Sequence, residues 1–214
     1  MSSPYESSGR ARQKQRTRDS LVAAARDLVA SGVTPTVGEA ATAAGLSRPT
    51  AYRYFANQRA LLAAAHPETV AASLLPPDPP EDPEARLAVV IAAFTQLILD
   101  TENQQRTMLR LSLEADPGER AALPLRQGRA IGWIEEALSP LGDQLSDQAR
   151  RQVVLAIRSV VGIEALAWLT DVARLSREDA VGLMRWSAQA LLRSALTWRP
   201  PDVAGGTNGE PVES

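Results

Sequence analysis

The chain has 214 residues, 44% of them hydrophobic and 22% charged, with a formal net charge of −2. That is enough apolar material for one or two packed domains and too little charge imbalance for a disordered chain. The absence of cysteine excludes a disulfide scaffold and Cys-ligated zinc or iron–sulfur sites. The single histidine, His66, excludes a multi-His metal site and argues against a Ser-His-Asp hydrolase. No uninterrupted apolar run reaches the length of a membrane span, and the N-terminus has no apolar signal core. The expectation is a cytoplasmic protein without membrane attachment or cofactor. The charge is unevenly placed. From Met1 to Leu62 nine Lys or Arg face four acids, and the remainder is acidic. A basic head on an acidic body points to a polyanion as partner of the head alone.

Ala, Leu, Arg and Glu dominate and β-branched alternation is scarce, so the chain reads as all-α. Residues 1–9 read as a disordered arm. A first helix is expected from about Arg12 to Ser31, closed by Gly32. Thr36 and Glu39 form a Thr-x-x-Glu capping box that starts a short second helix ending near Ala44-Gly45. Ser47 caps a third helix, to Phe55, with Pro49 in its first turn. Asn57 caps a fourth, expected to run to about Leu75 with a kink or hinge at Pro67, which removes a backbone N–H and clashes with the Ala63 carbonyl. The acidic, proline-rich stretch from Pro76 to Pro83 reads as a stiff linker. Further helices are expected at 84–101, 103–115, 121–139, 146–173 and 177–198, and a disordered tail over 200–214. By this reading residues 10–65 are a helix-turn-helix domain and residues 66–199 an effector-binding and dimerisation domain.

The stretch from Thr36 to Leu62 carries the chemistry. Two short helices flank Ala44-Gly45-Leu46, the length of a helix-turn-helix connection, in which the second helix enters the DNA major groove. Arg48 has the forked donors that match guanine O6 and N7. Thr50, Tyr52 and Tyr54 offer hydroxyls, and Arg53 charge, to phosphates. Pro49 and Ala51 are small or apolar enough to touch a thymine methyl, and Phe55 reads as core.

This block resembles the DNA-binding domain of the tetracycline-repressor (TetR) family. The resemblance rests on Thr36, the Ala44-Gly45-Leu46-Ser47 turn, Tyr52-Arg53-Tyr54-Phe55 and Leu61, together with the first helix from Arg16 to Gly32. It covers about residues 12–65. It implies a homodimer on a palindromic double-stranded operator, an all-α body that dimerises through its last two helices, and a small-molecule effector bound in that body. The expected DNA contacts are Thr36, Ser47, Arg48, Pro49, Thr50, Tyr52, Arg53, Tyr54 and Gln58, the last by the resemblance. The family usually has Lys at that last position, so one ionic phosphate contact is expected to be lost. Ala40 and Ala51 replace larger aliphatics, leaving a small-residue head core.

Two body helices are apolar nearly all round, which implies burial on two sides. Val153, Ile157, Val161, Leu183, Trp186 and Leu191 are the expected dimer contacts. Phe94, Met108, Trp133, Glu164 and Trp168 are larger or polar residues in apolar helices and the candidates for an effector pocket. Glu164 lacks an evident partner, because Arg158 lies on another face of a continuous helix. No phosphate loop, paired catalytic carboxylates or metal cluster argues for an enzyme. The expected function is a regulator of transcription, a repressor released by its effector. A constitutive DNA binder without effector and a helical adaptor that has lost DNA binding are the alternatives.

Overall fold

A computed structural model describes residues 4–66, 71–116, 118 and 128–198, with side chains from Arg12 onward. The described residues form helices and turns, with no strand among them. By packing the chain divides into two units, Met1–Val70 with Leu97–Gly128 and Ala71–Gln96 with Arg129–Ser214.

The first unit opens with α1, Pro4–Ala30. The helix thus begins within the segment expected to be a disordered arm. The Gly32 turn at φ +88° closes it. Next come α2, Val37–Ala43, α3, Arg48–Tyr52, and α4, Gln58–Ala65. Each is started by a side-chain cap, from Thr36, Ser47 and Asn57 in turn. Leu21, Ala25, Val37, Ala40, Ala41, Ala51, Phe55, Leu61 and Ala65 form the core of this head. Ala40, Ala41 and Ala51 have no exposed surface, so the small residues are matched by close helix approach. α4 ends ten residues before the expected Leu75, with His66 as its C-cap. The proline hinge expected at Pro67 lies outside the described residues. α6, Glu102–Glu114, packs against α1 and α4 through Val29, Leu62, Met108, Leu111 and Ala115. Asn103 Nδ2 donates to the Ala30 carbonyl and Arg59 to that of Glu114, tying helix ends together.

In the second unit, the first part of α5 (Pro83–Asp100), α7 (Arg129–Ala137), α8 (Asp147–Val160), α9 (Ile163–Ala167) and α10 (Arg177–Thr197) enclose a separate core. The start of the helix expected at 121 and the tail over 200–214 lie outside the described residues. Arg86 satisfies the carboxyl end of α7 by donating to the Glu136 and Ala137 carbonyls. Arg185 and Gln189 of α10 reach Thr95 and the Glu84 carbonyl of α5. The expected long helix over 146–173 is broken. Val161 and Gly162 are extended, α9 follows, and a π-turn spans Trp168–Val172. Asp147–Val172 is apolar enough to cross a membrane by length and composition alone, yet Val153, Val154, Ile157, Ile163 and Leu166 are core residues of this unit.

Candidate nucleic-acid interface

The connection between α2 and α3 is built by local chemistry. Thr36 N–H and Oγ–H both donate to Glu39 Oε2, at 2.7 and 2.8 Å, and Glu39 N–H returns to Thr36 Oγ1 at 3.2 Å. These bonds, the backbone one foremost, hold the Glu39 carboxyl below the ordinary Glu range, with a further contribution from nearby Arg48. Gly45 takes φ +67°, a left-handed conformation that L side chains rarely adopt. The Leu46 N–H then closes on the Ala41 carbonyl at 2.8 Å.

Ser47 Oγ accepts from Thr50 N–H at 3.3 Å and shares a hydrogen bond of 2.8 Å with Thr50 Oγ1. α3 is shorter than expected, ending at Tyr52, with Arg53 as its C-cap. Tyr54 and Phe55 continue the chain in one turn bonded to the Ala51 carbonyl. Ala51, expected beside Pro49 to be able to touch a thymine methyl, has no exposed surface and faces inward, which turns Arg48, Pro49, Tyr52 and Arg53 to solvent. Tyr52 keeps 51% of its surface exposed although it is a large aromatic residue. An exposed Tyr and two Arg on one short helix match the needs of a polyanion better than those of a protein core.

The nine expected DNA contacts separate into two groups. Thr36, Ser47, Arg48, Pro49, Tyr52 and Arg53 are exposed. Thr50, Tyr54 and Gln58 are half-buried, and two of these have internal tasks. Tyr54 packs against the head core. Gln58 Nε2 donates to the Thr34 and Pro35 carbonyls at 3.3 and 3.1 Å. It fastens the loop that precedes α2 and thereby the start of the helix-turn-helix. A further basic residue, from α1, joins this region: the Arg18 guanidinium lies 5.4 Å from the centre of the Phe55 ring.

The expected body residues do not form one cluster. Met108 belongs to the first unit's packing. Phe94 and Trp133 are buried in the second unit, edge to face with ring centres 5.7 Å apart, and Trp133 Nε1 donates to the Ala71 carbonyl. Glu164 and Trp168 line a groove of about 380 Å³ with Val160, Leu169, Leu183 and Met184. Glu164 is partnered after all. The break at Gly162 swings it round to Arg158, at 3.3 Å, and Arg158 also donates to the Val161 carbonyl.

Three of the six expected dimer contacts are placed otherwise than expected. Val153, Ile157 and Val161 are packed inside their own unit. Leu191 is half-buried. Leu183 and Trp186 are 40% and 67% exposed, three residues apart on one face of α10. Trp168, Val172 and Leu155 are exposed in the same unit. A comparison with protein-family profiles gives no match to this sequence, and neither does a comparison with curated proteins.

Proposed function

We propose that the chain is a DNA-binding regulator of transcription that works as a homodimer, a repressor released by a small-molecule effector. The observation that carries this reading is the capped α2-turn-α3 unit that turns Arg48, Pro49, Tyr52 and Arg53 outward while Ala51 seats the helix on an alanine-lined core. In this reading α3 enters the major groove, Arg48 reads a base, and Tyr52 and Arg53 hold phosphates. Trp186 of α10 seats the second copy, which presents two heads to a palindromic site. The groove lined by Glu164 and Trp168 is assigned to the effector, its volume being within the usual range for small ligands. The experiment is selection of a duplex from a randomised pool by the unmodified protein, followed by titration of Arg48→Ala. Loss of about 1–3 kcal/mol on the selected duplex, with little change on a scrambled one, supports base reading by Arg48. Failure to enrich any sequence contradicts the function.

A further inference from the structure

Gly38 is the second residue of α2, a helix of only seven residues in which Ala would be the better helix former. It makes no turn and carries no positive φ, so backbone conformation does not require it. What it faces is Arg48. A Cβ built on Gly38 would lie 3.2 Å from Arg48 Nε, 3.5 Å from its Cδ and 3.7 Å from its Cγ. Gly38 itself is buried, whereas Arg48 is exposed. The bare backbone of α2 is therefore a seat for the Arg48 stem, which crosses it and carries its guanidinium beyond.

We propose that Gly38 is a positioning residue for Arg48, fixing the direction in which the guanidinium leaves α3 and hence which base it reads. This rests on the DNA-binding reading above and adds a residue that does not itself touch DNA. The physical reason is conformational. A long Arg side chain has many rotamers, and a surface that accepts its stem in one of them reduces the freedom lost when a bidentate contact forms. A methyl group at position 38 would displace the Arg48 stem by a few tenths of an ångström. Because an exposed, flexible side chain gives way easily, the helix would not be disturbed.

The test is Gly38→Ala, with Arg48→Ala and the double variant beside it. Each is titrated against the duplex selected by the unmodified protein from a randomised pool and against a scrambled duplex. Gly38→Ala is expected to melt at or above the temperature of the parent, since Ala favours helix. It is expected to lose roughly three- to tenfold affinity for the selected duplex with none lost on the scrambled one, and to shift the base preferred under Arg48 in a repeated selection. In the double variant the effect of Gly38→Ala should vanish, as it acts only through Arg48. Nuclear Overhauser contacts between Gly38 Hα and the Arg48 side chain report the seat without DNA. If Arg48→Ala loses discrimination while Gly38→Ala keeps the parent's affinity and base preference, the seat is overturned and the functional reading stands. If the parent selects no duplex, the functional reading and the role assigned to Gly38 fall together, whatever the Overhauser contacts show.

Discussion

Replacing Trp186 by Ala should separate dimerisation from folding. Trp186 is 67% exposed in the single chain. For a tryptophan of about 250 Å² this leaves roughly 170 Å² for a partner to cover. At about 25 cal/mol per Å² that area corresponds to ~4 kcal/mol as an upper figure for each copy. Interface tryptophans commonly give about 2–4 kcal/mol on truncation and a homodimer loses two, so the dimer dissociation constant should rise by about a thousandfold or more. The chain itself should stay folded, because most of the side chain contributes nothing to its own core. Ile157→Ala is the opposite control. Ile157 has no exposed surface, and its truncation should cost about 2–5 kcal/mol of unfolding stability. Sedimentation equilibrium gives the dissociation constant and thermal unfolding gives the stability. An unchanged dissociation constant in Trp186→Ala would refute the placement of the interface on α10.

Three further outcomes follow from the geometry. In Gly162→Ala the new Cβ would stand 2.3 Å from Arg158 Nη1 and 2.7 Å from Glu164 Oε2, so the ion pair must open. For a partly exposed pair the cost should be about 1 kcal/mol, read as a fall of roughly 2–4 °C in melting temperature. Glu39 titrates below its ordinary value in the folded head, chiefly through the Thr36 backbone bond. Its contribution is therefore present above about pH 4.3 and lost as the pH falls through the lowered folded value; Glu39→Gln should flatten stability against pH over that acid window, as followed by circular dichroism. Gln58→Lys should steepen the salt dependence of duplex binding by about one counterion, because it adds a cation beside the recognition helix, and the slope of log affinity against log salt measures it.

What the sequence announces is what depends on neighbours along the chain. Thr36 with Glu39, Ser47, Asn57 and Ser176 each cap a helix start, and the left-handed Gly45 fixes the turn that joins α2 to α3. These are local signals, and they place the exposed face of α3 as well. Distant packing is less legible. All-round apolarity over residues 153–169 says that two sides are buried without saying by what, and Val153 and Ile157 turn out to face their own core. The pairing of Glu164 with Arg158 is hidden as long as the helix is taken as continuous, since residues six apart then lie on different faces. Two extended residues, Val161 and Gly162, change that geometry. Gln58 at the start of α4 looks like a weakened phosphate contact until its amide is seen to meet Thr34 and Pro35, more than twenty residues upstream.

The central claim is that the exposed face of α3 binds duplex DNA, and salt-dependent titration tests it most directly. A labelled duplex selected by the protein, and a scrambled one of equal length, are titrated from low to physiological salt. Log affinity should fall linearly with log salt for both, with a slope set by several phosphate contacts, and the selected duplex should stay tighter throughout. Arg53→Ala should lower the slope by about one on both duplexes, whereas Arg48→Ala should narrow the gap between them. Absence of salt-dependent duplex binding by the unmodified protein, or an unchanged slope and gap in both variants, would contradict it.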